Sequence, residues 1–297
     1  MDKEILDSYI KAGQIAAECL QYGKSLMKKE ALLRDVCDKV EEKIMTMGGG
    51  IAFPAQISLN QVAAHFCPTQ DDNIAFKEGD LAKLDIGVHI NGYIADTALT
   101  VNFGDHDKLA KASRDAVDNA TKLMAVGVEL REIGKTIQET ISSYGFSPIR
   151  NLSGHGLDRF EVHTSPTIPN FDTGDTTTLH EDMVCACEPF ATTGKGSIFE
   201  SSHPTVYGFI AKRPVRSPYG RELLTTIEKY EGLPFTTRWL QKKHGAGKTA
   251  FGLKELTNAG VIREYPPLPE VTNGLVSQAE HSVLFDGKKK IIFTKKE

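Results

Sequence analysis

A plan of two helices followed by strands occurs twice in this sequence, and this repeat restricts the fold more than any other feature. Apolar residues recur at helical spacing across residues 3–29, and a second helical segment ends at Gly48 in the position of a C-cap. The same order begins again near Asp107, with helical segments covering 107–127 and 129–145.

The two helix pairs also match in detail. The tetrapeptide LRDV begins at Leu33 and precedes Gly48 by 15 residues, while LREI begins at Leu130 and precedes Gly145 by the same interval. We therefore predict an α+β fold of two αα-β halves related by a pseudo-twofold axis. Their sheets would form one core with the helices outside, and ligands favour the seam between such halves.

The strands of this plan follow each helix pair. They are predicted at 56–67 and in a hairpin at 81–101 for the first half, and at 147–156, 183–190 and 276–285 for the second, with a final turn at Asp286-Gly287. Residues 207–270 interrupt the plan with short helices that end at Gly residues. We predict a catalytic domain of residues 1–206 and 271–297, and a helical, winged-helix-like insert subdomain of residues 207–270.

The hairpin places two carboxylates on one face of a strand pair. Asn91-Gly92 is the signal of a two-residue type I′ turn, which pairs Gly87 with Asp96. Because side chains alternate between faces, Asp85 then lies diagonal to Asp96, about 7–8 Å away at Cα. Gly87 would leave this face open. The pair could bind a cation.

The alternative interpretation of the two aspartates is a solvated strand face beside Lys83 without any ligand. Further polar residues inside strand-like segments argue for the cation. They are His155 between two glycines, Glu188 after an apolar run, and Glu280 in the segment VSQAEHSVLF. With the aspartates they make four carboxylates and one imidazole, whose charge two divalent ions would balance. Oxygen and nitrogen donors without thiolate suit Mn, Fe, Co or Zn in hydrolytic sites.

The overall composition is that of an ordinary globular protein. The 297 residues are 40% hydrophobic and 25% charged, with a net charge of −4, which does not favour a polyanion-binding protein as a whole. The N-terminus lacks the apolar segment of a signal peptide, and no apolar stretch approaches 18 residues. The five cysteines form no C-x-x-C pair, so we expect reduced thiols and a cytoplasmic location without membrane contact.

The motifs together resemble the type 2 methionine aminopeptidases in their short, archaeal-like form. The resemblance runs along essentially the whole chain and includes GGGIAFPAQISLNQVAAHFCP, KLDIGVHINGYIADTALTV, SGHGLDRFEVH, CEPFATTGKG and GLPFTTRWL. It implies the pita-bread fold shared with creatinase, aminopeptidase P and prolidase. The insert between the fourth and fifth candidate ligands marks type 2.

The resemblance also implies roles for individual residues. Asp85 would bind the first metal ion, Asp96 and Glu280 would bridge both, and His155 and Glu188 would complete the second. A bridging hydroxide would attack the carbonyl after the first residue, with Glu188 handling its proton. The implied substrate contacts are His65 and His163, and the implied wall of the methionine pocket is Phe53, Val162, Phe190, Pro234 and Phe235.

Two further positions depart from the family's pattern. The spacing around His203 differs from that of the pocket histidine found in some members, and Ala279 stands where a bulkier residue is expected beside Glu280.

The expected substrates are nascent chains that begin with Met followed by a small residue. We expect a monomer that makes a transient contact with the ribosome.

Three other functions fit the sequence less well. An X-Pro peptidase of the same fold would carry a domain ahead of the first helix, which begins within a few residues of Met1. A catalytically inactive relative that binds RNA or ribosomes would have lost ligands, although the basic insert could touch nucleic acid. The segment HGAGKTAFG falls short of a phosphate-binding loop because Lys242 stands where that motif needs Gly.

Overall fold

The first half begins with a pair of helices packed on a three-stranded sheet. In the computed structural model, which describes residues 1–295, these helices are α1 (Lys3–Leu26) and α2 (Leu33–Thr46). Asp2 caps α1 by accepting a hydrogen bond from the Glu4 backbone N–H. After α2 the chain turns at Gly48, whose φ of +83° is a conformation that glycine adopts without strain.

The second half repeats this arrangement with α3 (Asp107–Leu123) and α4 (Leu130–Ser143). Gly145 follows α4 with a φ of +81°, close to that of Gly48 after α2. The predicted repeat is therefore confirmed at the level of the helix pairs and their glycine ends. Each half also has its own apolar cluster beneath its helices, around Leu84 in the first and around Val283 in the second.

The strands of the two halves form three antiparallel sheets. In the first half β1 (Gly50–Leu59), β2 (Leu81–Ile90) and β3 (Tyr93–Asn102) pair in the order β1-β2-β3. The second half has β4 (Ser147–Pro148), β5 (Ser153–Asp158), β6 (Glu161–Pro169), β7 (Val184–Cys187) and β8 (Phe190–Thr192). With later strands these form one sheet of five and one of three, described below.

The predicted hairpin has the predicted register. Ile90 pairs with Tyr93 and Gly87 pairs with Asp96, so the loop is Asn91-Gly92. Both loop residues have positive φ, 54° and 89°, as a type I′ turn requires. Asp85 pairs with Ala98, which places Asp85 and Asp96 diagonally on one face.

Two strand boundaries differ from the sequence prediction. The first strand begins at Gly50 rather than at residue 56 and ends at Leu59, and the chain then leaves the sheet. The last turn is Gly287-Lys288 rather than Asp286-Gly287, because Asp286 is still paired with Lys289. A triplet of glycines and a run of lysines both obscure the alternation that marks strand ends.

Residues 206–265 contain three short strands in addition to the predicted helices. The strands are β9 (Val206–Phe209), β10 (Phe235–Thr236) and β11 (Ile262–Tyr265), and the helices are α5 (Pro218–Ile227), α6 (Thr237–His244) and α7 (Ala246–Asn258). They enclose a separate apolar cluster that includes Leu223 and Leu256. The sequence did not predict these strands because runs of two to four residues are too short to show alternation. The boundaries 207–270 of a subdomain remain a prediction.

The end of the chain completes the sheets of the second half. These strands are β12 (Val276–Gln278), β13 (His281–Asp286) and β14 (Lys289–Ile292). The five-stranded sheet has the order β14-β13-β7-β5-β6, and the three-stranded sheet has the order β12-β8-β4. Within residues 1–295, no helix combines the length and the hydropathy needed to cross a bilayer. All five cysteines are buried and free.

A buried ion pair joins α6 to the first half. The Arg238 side chain is fully buried and donates to both oxygens of Glu41, at 2.7 and 3.1 Å. Glu41 also accepts hydrogen bonds from the Trp239 indole N–H at 2.8 Å and from the Ala55 backbone N–H at 3.1 Å. Asp38 is a second carboxylate partner of Arg238.

Removing one partner of this pair should destabilise the protein strongly. We expect Glu41→Gln to lower the free energy of unfolding by about 3–5 kcal/mol, because the Arg238 charge loses its main counter-ion inside the protein. Urea denaturation measures this change. As a control, Lys242→Gln removes an exposed partner of Asp38 and should cost less than about 1 kcal/mol. Equal effects of both variants would contradict a structural role for the buried pair.

Candidate metal centre

A cavity of about 220 Å³ lies where the two halves and residues 206–265 meet. Its walls come from distant parts of the chain and contain most of the residues that the sequence analysis selected. Those residues are Phe53, His65, Asp85, Asp96, His155, Val162, His163, Glu188, Phe190, Pro234 and Glu280. All five candidate metal ligands are among them.

The hairpin supplies the two aspartates, and a serine from β13 holds the second one in place. The Asp96 backbone N–H donates to Ser282 Oγ at 2.9 Å, and this hydroxyl donates to the Asp96 carbonyl at 2.7 Å. The Glu280 backbone N–H donates to the Ala98 carbonyl at 3.0 Å. Hydrogen bonds between the two halves therefore fix the position of the hairpin relative to Glu280.

Gly87 has a different role from the open face that the sequence analysis predicted. A Cβ atom at this position would lie 2.3 Å from Cε1 of Phe53. The Phe53 ring therefore occupies the space beside Asp96 that a larger residue would fill. Because Gly87 has no side chain, the Phe53 ring can pack against it and form part of the cavity wall next to the aspartates.

The two glutamates lie at breaks between strands rather than inside them. Glu188 follows β7 and precedes Pro189 and β8, while Glu280 lies between β12 and β13. The flanking strands pair with each other, Cys187 with His281 and Phe190 with Gln278. Both breaks therefore lie side by side, where the chain leaves one sheet for the other, and both carboxylates can turn toward the hairpin.

Three of the five residues form a compact group of donor atoms. One ligand atom from each of Asp96, His155 and Glu280 lies within 4.8 Å of the others. Glu188 lies beside this group, because its Oε1 is 3.7 Å from Nε2 of His155. Asp85 lines the same cavity from the neighbouring strand position.

The orientation of His155 favours a cation in the group. Its Nδ1 is 3.1 Å from the Gly156 carbonyl, which can only accept, so Nδ1 carries the proton. In the neutral ring Nε2 then presents a lone pair to Asp96 Oδ2 and Glu188 Oε1, each 3.7 Å away. These distances are too long for hydrogen bonds. Lone pairs and carboxylate oxygens that face one another fit the donor set of a metal ion.

The carboxylates have no cationic partner from the protein. In the chain from residue 1 to residue 295, no Lys or Arg lines the cavity, and Asp85 Oδ1, Asp96 Oδ1 and Glu280 Oε2 are buried without a hydrogen bond. Lys83 shares a strand face with Asp85, but its ammonium donates to the backbone carbonyls of Asn60 and Leu81. The interpretation of a solvated face beside Lys83 is therefore wrong.

Burial raises the carboxylate pKa values in this cavity. It raises the pKa of Asp85 to about 7 and the pKa values of Asp96, Glu188 and Glu280 well above their usual range. The negative charge of neighbouring carboxylates is the next cause for the last three. A positive charge in the cavity would therefore stabilise the ionised carboxylates, which burial and their mutual repulsion disfavour.

Three histidines in the cavity are held neutral. Burial lowers the pKa of His155 to about 3 and of His65 to about 4, and it also lowers the pKa of His163. The His163 ring lies 4.3 Å from that of His155, centroid to centroid, and the His65 ring packs edge-on against Tyr265 at 5.7 Å. Neutral imidazoles can accept or donate hydrogen bonds to a substrate without adding charge.

Two candidate pocket residues lie elsewhere. The Phe235 ring is fully buried among the insert's aromatic residues, 5.9 Å from Tyr207 and 5.8 Å from Tyr230, whereas its neighbour Pro234 lines the cavity. Successive residues of an extended segment face opposite sides, so the two cannot share one wall. His203 is exposed and outside the cavity lining.

The segment that resembles a phosphate-binding loop lies at the junction of α6 and α7. A helix rather than a strand precedes it, and Lys248 pairs with Glu222 at 3.4 Å. The motif requires a preceding strand, so this alternative is not supported.

Several residues that position these side chains were not among the predicted site residues. Gln278 donates through Nε2 to Glu188 Oε2 at 3.3 Å, and Gln56 accepts from the His65 backbone N–H at 2.8 Å. Tyr265 lines the cavity from β11. A local signal existed for Gln278 and Ser282, which share strand parity with Glu280. It did not show that Ser282 contacts Asp96, 186 residues away in sequence, and no local pattern indicates that Tyr265 packs on His65.

Comparison with known proteins assigns this arrangement to a family. The model of metallopeptidase family M24 matches residues 7–209. The methionine aminopeptidase of Thermococcus onnurineus is 44% identical over 283 residues, covering 94% of this chain and 96% of its own. That of Archaeoglobus fulgidus is 42% identical over 296 residues, covering 99% and 100%.

Solved structures with low sequence identity show the same pita-bread fold. The alignment with a thermophilic Arx1 covers 100% of this chain and 92% of the Arx1 chain, with a TM-score of 0.88 at 16% identity. The methionine aminopeptidase of Thermotoga maritima aligns over 100% and 98% of the chains with a TM-score of 0.72 at 22% identity. The prolidase of Pyrococcus furiosus has a TM-score of 0.64 at 19% identity, and this chain covers 65% of it. By its sequence and its fold, this chain belongs to metallopeptidase family M24 and to the methionine aminopeptidases within it, and it is therefore a hydrolase.

Proposed function

We propose that this protein removes the N-terminal methionine from polypeptides whose second residue is small, and that it does so with a dinuclear metal centre. The observation that carries the proposal is the meeting of four carboxylates and one neutral imidazole in a cavity without Lys or Arg among its described lining residues. Four negative charges exceed what one divalent ion can balance, whereas two such ions match them.

The residues that would hold the ions are Asp85, Asp96, His155, Glu188 and Glu280. Asp85 would bind one ion, His155 and Glu188 the other, and Asp96 and Glu280 both. Oxygen and nitrogen donors without sulfur suit Co, Mn, Fe or Zn. Such ions, when bound, would polarise the scissile carbonyl and make water a nucleophile at neutral pH.

Glu188 is the residue proposed to move the proton. Gln278 holds its Oε2 by a hydrogen bond, so Oε1, on the side of His155, remains to accept a proton from the attacking water. A carboxylate that touches the attacking water can accept its proton. The same carboxyl can then deliver the proton to the leaving amine.

His163 and His65 are proposed to contact the peptide on either side of the scissile bond. His163, next to His155, would donate a hydrogen bond to the oxygen that gains charge. His65 would contact the leaving side. Neither ring adds a positive charge that would compete for the carboxylates, because burial lowers both pKa values.

The methionine side chain is proposed to fit between Phe53, Val162, Phe190 and Pro234. Each is mostly buried, and together they form an apolar wall beside the carboxylates. An unbranched thioether can adapt to such a wall and make favourable contacts with aromatic rings. Crowding by His65 and Tyr265 would favour a small second residue. Nascent chains in the cytoplasm, reached during a transient contact with the ribosome, are the proposed substrates of a monomeric enzyme.

Peptide hydrolysis tests this function directly. The metal-loaded protein should release free methionine from Met-Ala-Ser at least about ten times faster than from Met-Lys-Ser, a difference of about 1.4 kcal/mol in transition-state binding. A peptide that begins with a residue other than methionine followed by proline serves as the comparison for an X-Pro peptidase. Chromatography of the released amino acid measures all three rates. Cleavage of neither Met peptide, or equal cleavage of the proline peptide, would reject the proposal.

A further inference from the structure

A second cavity, of about 500 Å³, lies between α1, α3 and the last strands of the chain. It shares no lining residue with the cavity of the candidate metal centre, although Ala279 and His281 flank Glu280 in sequence. Its polar lining is Gln21, Lys24, Thr100, Lys111, Arg114, Gln278, His281 and Thr294, and its apolar lining includes Leu20, Leu99 and Ala279.

The charge of this second cavity has one sign. Lys24, Lys111 and Arg114 line it, and in the described part of the chain no Asp or Glu does. Asp115 of α3 pairs with Lys111 at 2.6 Å and so balances the charge of that lysine, while Asp118 pairs with Lys295 at 2.8 Å. Within the described residues, Lys24 and Arg114 are therefore the cavity cations without a carboxylate partner, although the whole chain has a net charge of −4.

Arg114 is the residue whose environment most requires an anion. It is partly buried, and none of the carboxylates in residues 1–295 lies within 4.0 Å of its guanidinium. Its one side-chain partner is His281, whose Nε2 lies 3.1 Å from Nη1. A guanidinium can only donate, so Nε2 accepts and the proton of this ring is on Nδ1, directed at Thr294 Oγ1 at 3.1 Å.

His281 therefore orients Arg114 without neutralising it. The ring is 7% exposed and neutral in this tautomer, so it offers a lone pair and no negative charge. The hydroxyls of Thr294 and Thr100 are already engaged by the backbone N–H groups of Ser282 and Gln278. The groups left free in the cavity are N–H donors of Arg114 and Lys24. A partly buried cation with free donors is costly unless an anion completes its hydrogen bonds.

We propose that this cavity binds a small phosphorylated anion, held by Arg114 together with Lys24. The planar fork of a guanidinium matches two oxygens of a phosphate, and the Lys24 ammonium adds charge at the rim. Leu20, Leu99 and Ala279 give the cavity an apolar surface against which the rest of such a molecule would pack.

Calorimetric titration of the metal-loaded protein with inorganic phosphate, at fixed ionic strength, tests the proposal. The wild-type protein should bind phosphate in this cavity, and Arg114→Gln should weaken that binding at least about tenfold, because a charge-assisted, bidentate contact is lost. Lys135→Gln is the control for the loss of one positive charge. Lys135 is an exposed lysine on α4 and lies outside the cavity lining. This variant should bind phosphate as the wild type does.

A second variant covers the case in which Arg114→Gln fails to fold. Lys24 is exposed and makes no hydrogen bond within the described residues, so Lys24→Gln should fold normally and weaken phosphate binding about threefold or more. Phosphate that binds equally to all variants would be on the metal ions and would overturn the proposal. Absence of phosphate binding to the wild type would also overturn it. A short single-stranded RNA that binds more tightly than phosphate through the same residues would replace the small anion by nucleic acid.

Discussion

Replacement of Asp96 by asparagine should abolish most of the peptidase activity and lower the metal content of the purified protein. Asp96 belongs to the compact donor group and is 3% exposed, so an amide there removes a charge that no other residue can supply. Removing a residue that hydrogen-bonds to a metal ligand typically lowers metal affinity or activity 10–100-fold. Removing the ligand itself should therefore lower kcat/KM by at least about 100-fold. Glu280→Gln should behave in the same way.

Elemental analysis alongside rate measurement separates binding from chemistry in this experiment. His163→Ala serves as the matched variant, because it removes a cavity residue that is proposed to contact substrate rather than metal. It should lower kcat and leave the metal content at the wild-type value. Unchanged metal stoichiometry in both Asp96→Asn and Glu280→Gln would contradict the ligand assignment, whatever happens to the rate.

Removal of metal should make the stability of the protein depend strongly on pH. In the metal-free protein burial raises the pKa of Asp85 from 3.8 to about 7, and those of Asp96, Glu188 and Glu280 also rise. Between the unfolded and folded pKa values the native state binds more protons than the unfolded state. Stability is therefore greatest below about pH 4 for these groups and falls as the pH rises toward 7 and beyond.

The size of the effect follows from the same shift. As the pH rises, ionisation of Asp85 lowers the free energy of unfolding by at most about 4 kcal/mol, at 1.36 kcal/mol per pKa unit. The partial exposure of Asp85 to the cavity reduces this figure. The other three carboxylates act in the same direction. We expect the melting temperature of chelator-treated protein, followed by circular dichroism, to fall by roughly 5 °C or more between pH 5 and pH 8. Divalent ions should raise it more at pH 8, where fewer protons compete for the ligands.

Two variants distinguish this effect from general pH sensitivity. Asp96→Asn removes one titrating carboxyl and should flatten the slope. Glu270→Gln changes another fully buried carboxyl, which accepts hydrogen bonds from the backbone N–H groups of Lys195, Thr272 and Gly274 and lies outside the cavity. This variant should keep the wild-type slope. A slope that is the same with and without metal would show that the carboxylates are not linked to ion binding.

Local patterns were sufficient for much of this fold and for the identity of the candidate ligands. The Asn91-Gly92 turn determines the register of β2 and β3 by itself, since a two-residue turn leaves only one pairing. Helical spacing and the glycines at 48 and 145 predicted all four helices of the repeat. The aspartates, His155 and the glutamates could be selected because polar residues in apolar strand segments are unusual.

The tertiary structure determined what each of these side chains faces. Glu188 and Glu280 lie side by side only because β7 pairs with β13 and β8 pairs with β12. Tertiary packing also directs Lys83 away from Asp85, and it directs Phe235 to the opposite side from Pro234. The cluster around Arg114 joins α3 to residues 167 positions later and left no trace in the sequence. The physical reason is that periodicity and turn chemistry act over a few residues, whereas burial and charge compensation depend on neighbours that the chain brings together from far apart.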